Sequence, residues 1–256
     1  MSSVHFADNS TGWAVGNDEI IIKTTNGGTD WTPQTSGTTA GYLMSVHFAD
    51  NFTGWAVGDP GRILKTTNGG TNWTNQTSGT TNWLLSVRFE DNLTGWAVGE
   101  SGTILKTING GTNWTPQTTG VTNNLRSVDI ADNSTSWAVG FLGTILKTTN
   151  GGTNWTTQTS GTTNVLWSVD FTDNSTGWTV GGGGTILRTA NGGTNWTLQI
   201  SGTSNFLTSV HFVDINTGWV VGGAGTILKS TNSGDNWFLK SGCSVITLQF
   251  ISQVTI

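Results

Sequence analysis

Acidic side chains that differ between otherwise similar segments are the first candidates for chemistry in this sequence of 256 residues. Asp18, Asp59 and Glu100 occupy corresponding short segments, and Glu19 directly follows Asp18. Glycoside hydrolysis needs two carboxyl groups about 5–10 Å apart, one of which acts as the acid. Because carboxylates in such segments are equally typical of solvated loops, these four residues do not by themselves predict an enzyme.

A second set of variable residues is aromatic or basic, and these side chains suit recognition. Rigid aromatic rings bury large areas at low entropic cost, which makes them common anchors of binding sites. The set comprises Tyr42, Trp83, Arg126, Trp167 and Phe206. We predict that it forms a binding face for a protein segment or a glycan, tuned by the acids Asp18, Asp59 and Glu100. Drift at exposed positions is the alternative explanation of the divergence.

Histidine, arginine and aspartate also share one recurring position, which suggests metal binding or proton transfer. The six residues are His5, His47, Arg88, Asp129, Asp170 and His211. Since successive members are separated by a whole repeat, four ligands cannot easily converge on one ion, and we predict neither a metal site nor a cofactor.

Other catalytic patterns fit the sequence poorly. A sialidase needs a cluster of arginines and a tyrosine nucleophile, but Tyr42 is the only tyrosine. The four arginines are Arg62, Arg88, Arg126 and Arg188. No phosphate-binding glycine loop and no Ser-His-Asp pattern stands out. We therefore expect a protein without enzymatic activity.

Composition narrows the partners and the compartment. Only 10% of the residues are charged, the net charge is -5, and no basic stripe indicates nucleic-acid binding. Cys243 is the single cysteine, so no internal disulfide framework is expected. No apolar run is long enough to span a membrane, and no signal-peptide pattern precedes the first repeat. The compartment and the oligomeric state stay open.

The elements that must position these residues are internal repeats. Successive units begin 42 and then 41 residues apart, at Ser3, Ser45, Ser86, Ser127, Ser168 and Ser209. Such a period with four strands per unit is typical of β-propeller blades. We predict an all-β, six-bladed β-propeller of four-stranded antiparallel blades over residues 1–242. Residues 243–256 are predicted to be a C-terminal β tail that pairs with a blade edge.

Each unit contains four predicted strands, which in the second unit span residues 45–48, 55–58, 63–67 and 73–78. Strand polarity then puts two variable segments at the same end of each blade: the loop between strands two and three, and the return loop to the next unit. A tryptophan on strand two and another after the last turn are predicted to form the core between blades. A recurring aspartate is predicted to cap the first turn. A recurring lysine or arginine on strand three is expected to form a solvated ring.

The turn before strand four repeats the pattern [ST]-x-Asn-x-Gly-x-x-Trp. Its glycines allow a tight reversal and its asparagine can bond back to the backbone. The copies span residues 24–31, 66–73, 107–114, 148–155, 189–196 and 230–237.

These six elements resemble Asp-boxes, also called bacterial neuraminidase repeats. The whole unit resembles the propellers of the photosystem II assembly and stability factor family, and the resemblance covers residues 3–242. It implies a non-enzymatic assembly role in a lumenal or extracytoplasmic compartment. The third box residue is Asn in every copy, whereas the motif is named after Asp. Family propellers commonly have seven blades, and the near-identity of the copies suggests recent amplification or engineering.

We expect a non-enzymatic scaffold for binding or assembly that contacts other proteins through its variable loops. Three alternatives remain open: a multivalent glycan-binding lectin, a glycoside hydrolase or sialidase-like enzyme, and an amplified or engineered scaffold without an evolved ligand. Repeated identical pockets would favour the lectin, and a close carboxylate pair in one deep pocket would favour the enzyme.

Overall fold

The computed structural model describes residues 1–37 and 41–240. Its described residues fall into two compact units, Met1–Thr122 and 123–240. Each unit contains three four-stranded antiparallel sheets, and each sheet is built from one repeat with its strands in chain order. The prediction of an all-β, six-bladed β-propeller is thus confirmed. The predicted C-terminal tail and Cys243 lie outside the described residues.

The first unit contains blades 1 to 3. Blade 1 consists of β1 (Ser3–Phe6), β2 (Gly12–Val15), β3 (Ile21–Thr24) and β4 (Thr32–Gln34). Blade 2 consists of β5 (Leu43–Phe48), β6 (Gly54–Gly58), β7 (Arg62–Thr66) and β8 (Thr74–Gln76). Blade 3 consists of β9 (Leu84–Phe89), β10 (Gly95–Gly99), β11 (Ile104–Thr107) and β12 (Thr115–Pro116).

The second unit contains blades 4 to 6. Blade 4 consists of β13 (Leu125–Ile130), β14 (Ser136–Gly140), β15 (Ile145–Thr148) and β16 (Thr156–Gln158). Blade 5 consists of β17 (Leu166–Phe171), β18 (Gly177–Gly181), β19 (Ile186–Thr189) and β20 (Thr197–Gln199). Blade 6 consists of β21 (Leu207–Phe212), β22 (Gly218–Gly222), β23 (Ile227–Ser230) and β24 (Phe238–Leu239).

Helical structure in the described residues is limited to short 3-10 turns between the second and third strands of four blades. These turns span Glu100–Gly102, Phe141–Gly143, Gly182–Gly184 and Gly223–Gly225. No helix in the described part of the chain has the length and hydrophobicity needed to cross a membrane.

Strand bounds differ from the predicted ones mainly at the blade edges. In blade 2 the first strand begins two residues earlier than predicted, at Leu43, and the fourth is only Thr74–Gln76. The fourth strand is short because Trp73 is buried and ends the box turn, while the residues after Gln76 enter the return loop. The outermost strand therefore offers only a short free edge.

The box turn is held by its own polar side chains, as predicted. In blade 2 the Thr66 hydroxyl accepts the N–H groups of Asn68 and Gly70 at 3.3 and 2.9 Å. The Asn68 side-chain oxygen accepts the N–H of Asn72 at 3.0 Å. Gly69 and Gly70 have φ values of 68° and 90°, a region that disfavours residues with a Cβ. Asn68 stands where the Asp-box has its name-giving aspartate, and its uncharged side-chain oxygen is a sufficient hydrogen-bond acceptor for this turn.

Adjacent blades within each unit are joined by one recurring aromatic contact. The Trp13 ring of blade 1 stacks on Phe48 of blade 2 at 3.5 Å between centroids, and the planes are 8° apart. Its indole Nε1–H donates to the carbonyl of Gly69 in the box turn of blade 2 at 3.0 Å. Phe48 also meets the box residue Trp73 edge to face at 5.7 Å. The second-strand tryptophan thus contacts both the first strand and the box turn of the next blade.

Burial confirms that most repeated tryptophans are core residues. The second-strand residues that are at most 2% exposed are Trp13, Trp55, Trp96, Trp137 and Trp178. The buried box residues are Trp73, Trp114, Trp155 and Trp237, whereas Trp31, Trp196 and Trp219 are half-buried. Burying one tryptophan contributes about 4–6 kcal/mol, at about 25 cal/mol per Å² over 150–250 Å².

The recurring cation of strand three is not simply solvated, which corrects the prediction of a solvated ring. Its side chain is half-buried and lies over the second-strand tryptophan of the same blade, because the two residues are cross-strand neighbours. The Lys65 ammonium is 5.4 Å from the Trp55 ring, and Lys106 is 4.9 Å from Trp96. Burial lowers the pKa of Lys65 below its ordinary value.

The recurring aspartate caps the first turn, as predicted, and also joins neighbouring blades. Asp132 accepts the N–H groups of Ser134 and Thr135 at 2.7 and 2.8 Å. Its second oxygen accepts the side-chain amide of Asn174 in blade 5. These hydrogen bonds hold the pKa of Asp132 below its ordinary value, and the bond from Asn174 has the largest effect.

The first prediction concerns the box tryptophan. Trp114 is 8% exposed and packs edge to face on Phe89. We expect Trp114→Ala to lower the free energy of unfolding by about 3–5 kcal/mol, the usual cost of truncating a large core residue. Ile108→Ala in the same turn is the control, since Ile108 is 70% exposed, and should change stability by about 0.5 kcal/mol or less. Equal melting curves for wild type and Trp114→Ala would contradict the core assignment.

The second prediction concerns the glycine that opens the second strand. Gly95 faces Phe89 across the sheet, and a Cβ added there would lie 2.6 Å from the ring. In blade 4 the facing pair is Ile130 and Ser136. We expect Gly95→Ser to cost about 1–3 kcal/mol by overpacking. Combining it with Phe89→Ile should cost less than the sum of the two single changes in chemical denaturation. An additive double mutant would show that the two positions do not share one space.

The third prediction concerns acid stability. Because the pKa of Asp132 is lower in the folded state than in the unfolded chain, its stabilising effect is complete above the unfolded pKa of about 4. It is lost as the pH falls through the folded value. Between about pH 5 and pH 2, Asp132→Asn should therefore lose stability less steeply than the wild type. Identical slopes for the wild type and Asp132→Asn would contradict this prediction.

Candidate functional site

The two variable loops meet at one end of each blade, as strand polarity predicts. A backbone carbonyl at the end of the return loop accepts a hydrogen bond from the first residue of the strand two–three loop in the blade that follows. The Glu100 N–H donates to the Trp83 carbonyl at 3.0 Å, and the Gly223 N–H donates to the Phe206 carbonyl at 2.8 Å. Gly99 lies beneath the first of these contacts, and a Cβ added there would be 2.0 Å from the Trp83 oxygen. We call this end of the blades the loop end.

A side-chain hydrogen bond fixes the same loops in most blades. The amide of Asn82 donates to the Thr103 hydroxyl at 2.8 Å. The equivalent pairs are Asn123 with Thr144, Asn164 with Thr185, and Asn205 with Thr226. Between blades 1 and 2 the corresponding residues are Gly41 and Arg62, so this bond is replaced.

The replacement is a buried ion pair that the sequence interpretation did not include. Arg62 Nη1 lies 2.8 Å from Glu19 Oε1, and the Glu19 side chain is 2% exposed. The Ser36 hydroxyl donates to the second Glu19 oxygen at 3.4 Å. The sequence did contain a sign of this ion pair: Gly41 and Arg62 stand where the later repeats have asparagine and threonine. Glu19 is thus engaged in structure and is a poor candidate for a catalytic acid.

Tyr42 and Trp83 form the aromatic feature of the loop end in the first unit, which we call the ring pair. Their centroids are 5.8 Å apart and their planes differ by 21°. Tyr42 is 42% exposed, and Trp83 is half-buried. The Tyr42 N–H donates to an Asp59 side-chain oxygen, and the Asp59 N–H donates to the Tyr42 carbonyl at 3.1 Å. The structure therefore brings together two predicted aromatic residues and one predicted acid.

The other acids predicted for this face lie in adjoining loops. Glu100 is half-buried and bonded through its backbone to Trp83. Asp18 is exposed, has a φ of 55°, and follows Asn17, which forms an isolated β-bridge with Tyr42.

In the second unit, Arg126 packs against two neighbouring aromatic rings, Trp167 and Phe141, whose centroids are 6.5 Å apart, and we call these three residues the arginine cluster. Its guanidinium carbon is 4.5 Å from the Trp167 ring and 5.0 Å from the Phe141 ring. Two predicted residues, Arg126 and Trp167, are thereby brought together. Phe141 was not among the predicted site residues, although it is aromatic and occupies a variable loop.

Phe206 directly precedes the first strand of blade 6. It is 54% exposed, and its ring covers Gly223, where an added Cβ would be 2.5 Å from a ring carbon. Of the aromatic residues predicted for this face, Tyr42 and Phe206 are therefore exposed, and Trp83 and Trp167 are half-buried.

The recurring polar residues of the first strand serve packing and backbone contacts. The His5 and His47 rings are 4.6 Å apart, and burial, followed by the nearby His5 and Arg88 charges, lowers the pKa of His47 well below its ordinary value. Asp129 and Asp170 accept backbone N–H groups at 2.7 and 2.8 Å. Across residues 1–37 and 41–240, no group of three His, Cys, Asp or Glu residues is arranged to hold a metal ion.

Two grooves are present near the loops, and neither has a carboxylate among its described lining residues. One of about 710 Å³ runs along Pro60–Arg62 and residues 75–81, where hydroxyl and amide side chains predominate. Another of about 380 Å³ lies between residues 201–205 and the segment around Gly225, with Trp237 and Leu239 in its wall. Neither groove shows the carboxylate pair of a glycoside hydrolase.

Solved structures that resemble this chain are β-propellers. A structure described as YCF48 bound to D1 peptide is 25% identical, with a TM-score of 0.77, and the match covers 93% of this chain and 79% of that chain. YCF48 from Cyanidioschyzon merolae is 22% identical with a TM-score of 0.75, covering 93% and 84%. The WD40 propeller domain of Doa1 is 14% identical with a TM-score of 0.80, covering 99% and 86%. At these last two identities the likeness shows the fold alone.

An ancestral GH74 enzyme is also similar in fold, at 17% identity and a TM-score of 0.73, but the match spans only 37% of that enzyme. The comparison with curated protein sequences gave no match. A family model described as photosynthesis system II assembly factor YCF48 matches three times, over residues 1–80, 75–161 and 153–241. These matches span nearly all of the described residues, so the chain belongs to the YCF48 family of photosystem II assembly factors.

Proposed function

We propose that this protein is a non-enzymatic assembly scaffold that holds an extended protein segment on its loop end. The observation that carries the proposal is the exposure of Tyr42 and Phe206 on return loops whose backbone carbonyls accept hydrogen bonds from the adjoining strand two–three loops. A rigid backbone with exposed aromatic side chains suits recognition, because little entropy is lost on binding. The similar structure described as YCF48 bound to D1 peptide supports a protein segment as the partner.

The family also supports a place of action. Proteins that assist the assembly of photosystem II work beside a membrane complex, and we propose a lumenal or extracytoplasmic compartment for this chain. A glycan as ligand has weaker support, because the two grooves differ in lining and volume and are not repeated identical pockets. A hydrolase has weaker support because Glu19 is paired with Arg62 and Asp59 accepts a backbone N–H.

The fourth prediction tests the loop end. The wild type should bind a synthetic D1 peptide in calorimetry, and the double change Trp83→Ser with Phe206→Ser should weaken binding at least about tenfold, or about 1.4 kcal/mol. The reason is the loss of two aromatic anchors. The melting temperature should change little, since neither side chain is fully buried.

The matched control changes two exposed apolar residues at the opposite end of the blades, Phe52→Ser with Leu93→Ser, which are 66% and 56% exposed in the wild type. This control should bind the D1 peptide within about twofold of the wild type. Equal loss of binding in both double mutants, or no binding of any overlapping D1 segment to the wild type, would overturn the proposal. A large drop in melting temperature for the first double mutant would show that its side chains are core residues instead.

A further inference from the structure

We propose that the ring pair and the acids around it form a subsite for an arginine side chain of the bound protein segment. The inference rests on the proposed function, because it specifies what one part of the loop end recognises. It commits to a cationic residue in an extended peptide, and the argument uses the placement of Tyr42, Trp83, Asp18, Asp59 and Glu100.

The rings are suitably placed to contact a cation. Tyr42 is 42% exposed, and it stacks on Trp83 with a centroid separation of 5.8 Å, so aromatic surface of the pair remains open to a ligand. A guanidinium or ammonium group within about 6 Å of such a ring is attracted by its π electrons. The pair is also pre-formed, since its backbone is held by bonds to Asp59 and Glu100.

The second unit shows the same kind of contact within the protein. Arg126 lies 4.5 Å from the Trp167 ring and 5.0 Å from the Phe141 ring. Arg126 and Trp167 are the second residues of β13 and β17, two positions after those that correspond to Tyr42 and Trp83. There the chain supplies its own arginine to an aromatic cluster. In the first unit, Tyr42 and Trp83 stack on each other in the return loops and have acids in the adjoining loops, an arrangement that suits an external arginine.

Charge selects the cation over an apolar or acidic residue. Glu19 is neutralised by Arg62 at 2.8 Å, so Asp18, Asp59 and Glu100 leave these loops with negative charge. The corresponding loops of the second unit carry no charged residue at all: Phe141-Leu142-Gly143, Gly182-Gly183-Gly184 and Gly223-Ala224-Gly225. Negative charge of the strand two–three loops is thus confined to the blades that carry the ring pair.

Two of the three acids are hydrogen-bonded to a ring residue, and the third lies next to a residue that forms a β-bridge with one. Asp59 exchanges hydrogen bonds with the Tyr42 backbone, and the Glu100 N–H donates to the Trp83 carbonyl at 3.0 Å. Asp18 directly follows the residue that bridges to Tyr42. An arginine suits this arrangement better than a lysine, because its planar guanidinium stacks on rings and donates to carboxylates at the same time.

The fifth prediction uses two blocked peptides, acetyl-Gly-Arg-Gly-amide and the same peptide with citrulline, which has arginine's shape without its charge. Binding is followed through the indole N–H signal of Trp83 in nitrogen–proton correlation spectra, assigned with a Trp83→Phe variant. The arginine peptide should bind at least about fivefold more tightly than the citrulline peptide. Raising the salt from about 0.05 M to about 0.5 M should weaken the arginine peptide and leave the citrulline peptide unchanged.

Variants show which side chains are responsible for the preference for arginine. Tyr42→Ser and Glu100→Gln should each reduce the preference for arginine over citrulline by about half or more. Phe52→Ser, at the opposite end of blade 2, should leave the preference unchanged. Equal affinity for both peptides in the wild type would overturn the subsite, and so would a preference that survives in both Tyr42→Ser and Glu100→Gln.

The outcome is separable from that of the proposed function. If the D1 peptide binds at the loop end but arginine shows no preference over citrulline, the scaffold proposal stands and the subsite is wrong. If no D1 segment binds but arginine is selected at the ring pair, the surface recognises cations and the scaffold proposal is wrong. Failure of both assays overturns both proposals.

Discussion

The contact on which the structure depends is the indole of a second-strand tryptophan set against the next blade. Trp13 stacks on Phe48 and donates its N–H to the carbonyl of Gly69. One side chain thereby satisfies a box-turn carbonyl and excludes water from the contact between two sheets. The contact gives a physical reason for the recurrence of the second-strand tryptophan and the box turn in every repeat. A change in the tryptophan, the phenylalanine or the turn of one blade would alter the fit of its neighbour.

Most of the fold was predictable from the sequence because the signals repeat. The spacing of 41 residues, the box turn and the alternating strands each predict the same blade. The pairing of Gly95 with Phe89 was not predicted, because it depends on the cross-strand register, although the combined change to Ile130 and Ser136 in blade 4 records it in the sequence. The lysine of strand three was assigned to solvent for the same reason, since its contact with tryptophan crosses between strands.

The candidate site was predictable only in part. Strand polarity sufficed to gather the variable loops at one end of the blades. It did not specify which side chains meet, since that depends on loop conformation and on rotamers. Three contacts depend on these details: the ring pair, the packing of Arg126 against Trp167 and Phe141, and the Glu19–Arg62 ion pair. Glu19 shows the difference most clearly, because an acid in a variable loop suggested catalysis and is instead buried against an arginine.

The loop end also differs from the rest of the fold in what packing requires of its residues. Backbone bonds such as that from Glu100 to the Trp83 carbonyl fix the course of the loops whatever the side chains are. Gly99 has to stay small beneath this bond, whereas the side chain at position 83 is free to vary among the copies. Packing therefore accounts for the box tryptophans but not for Tyr42 or Phe206, which are 42% and 54% exposed. Exposed aromatic side chains on loops held by backbone bonds suit the binding of the protein segment that we propose for the loop end.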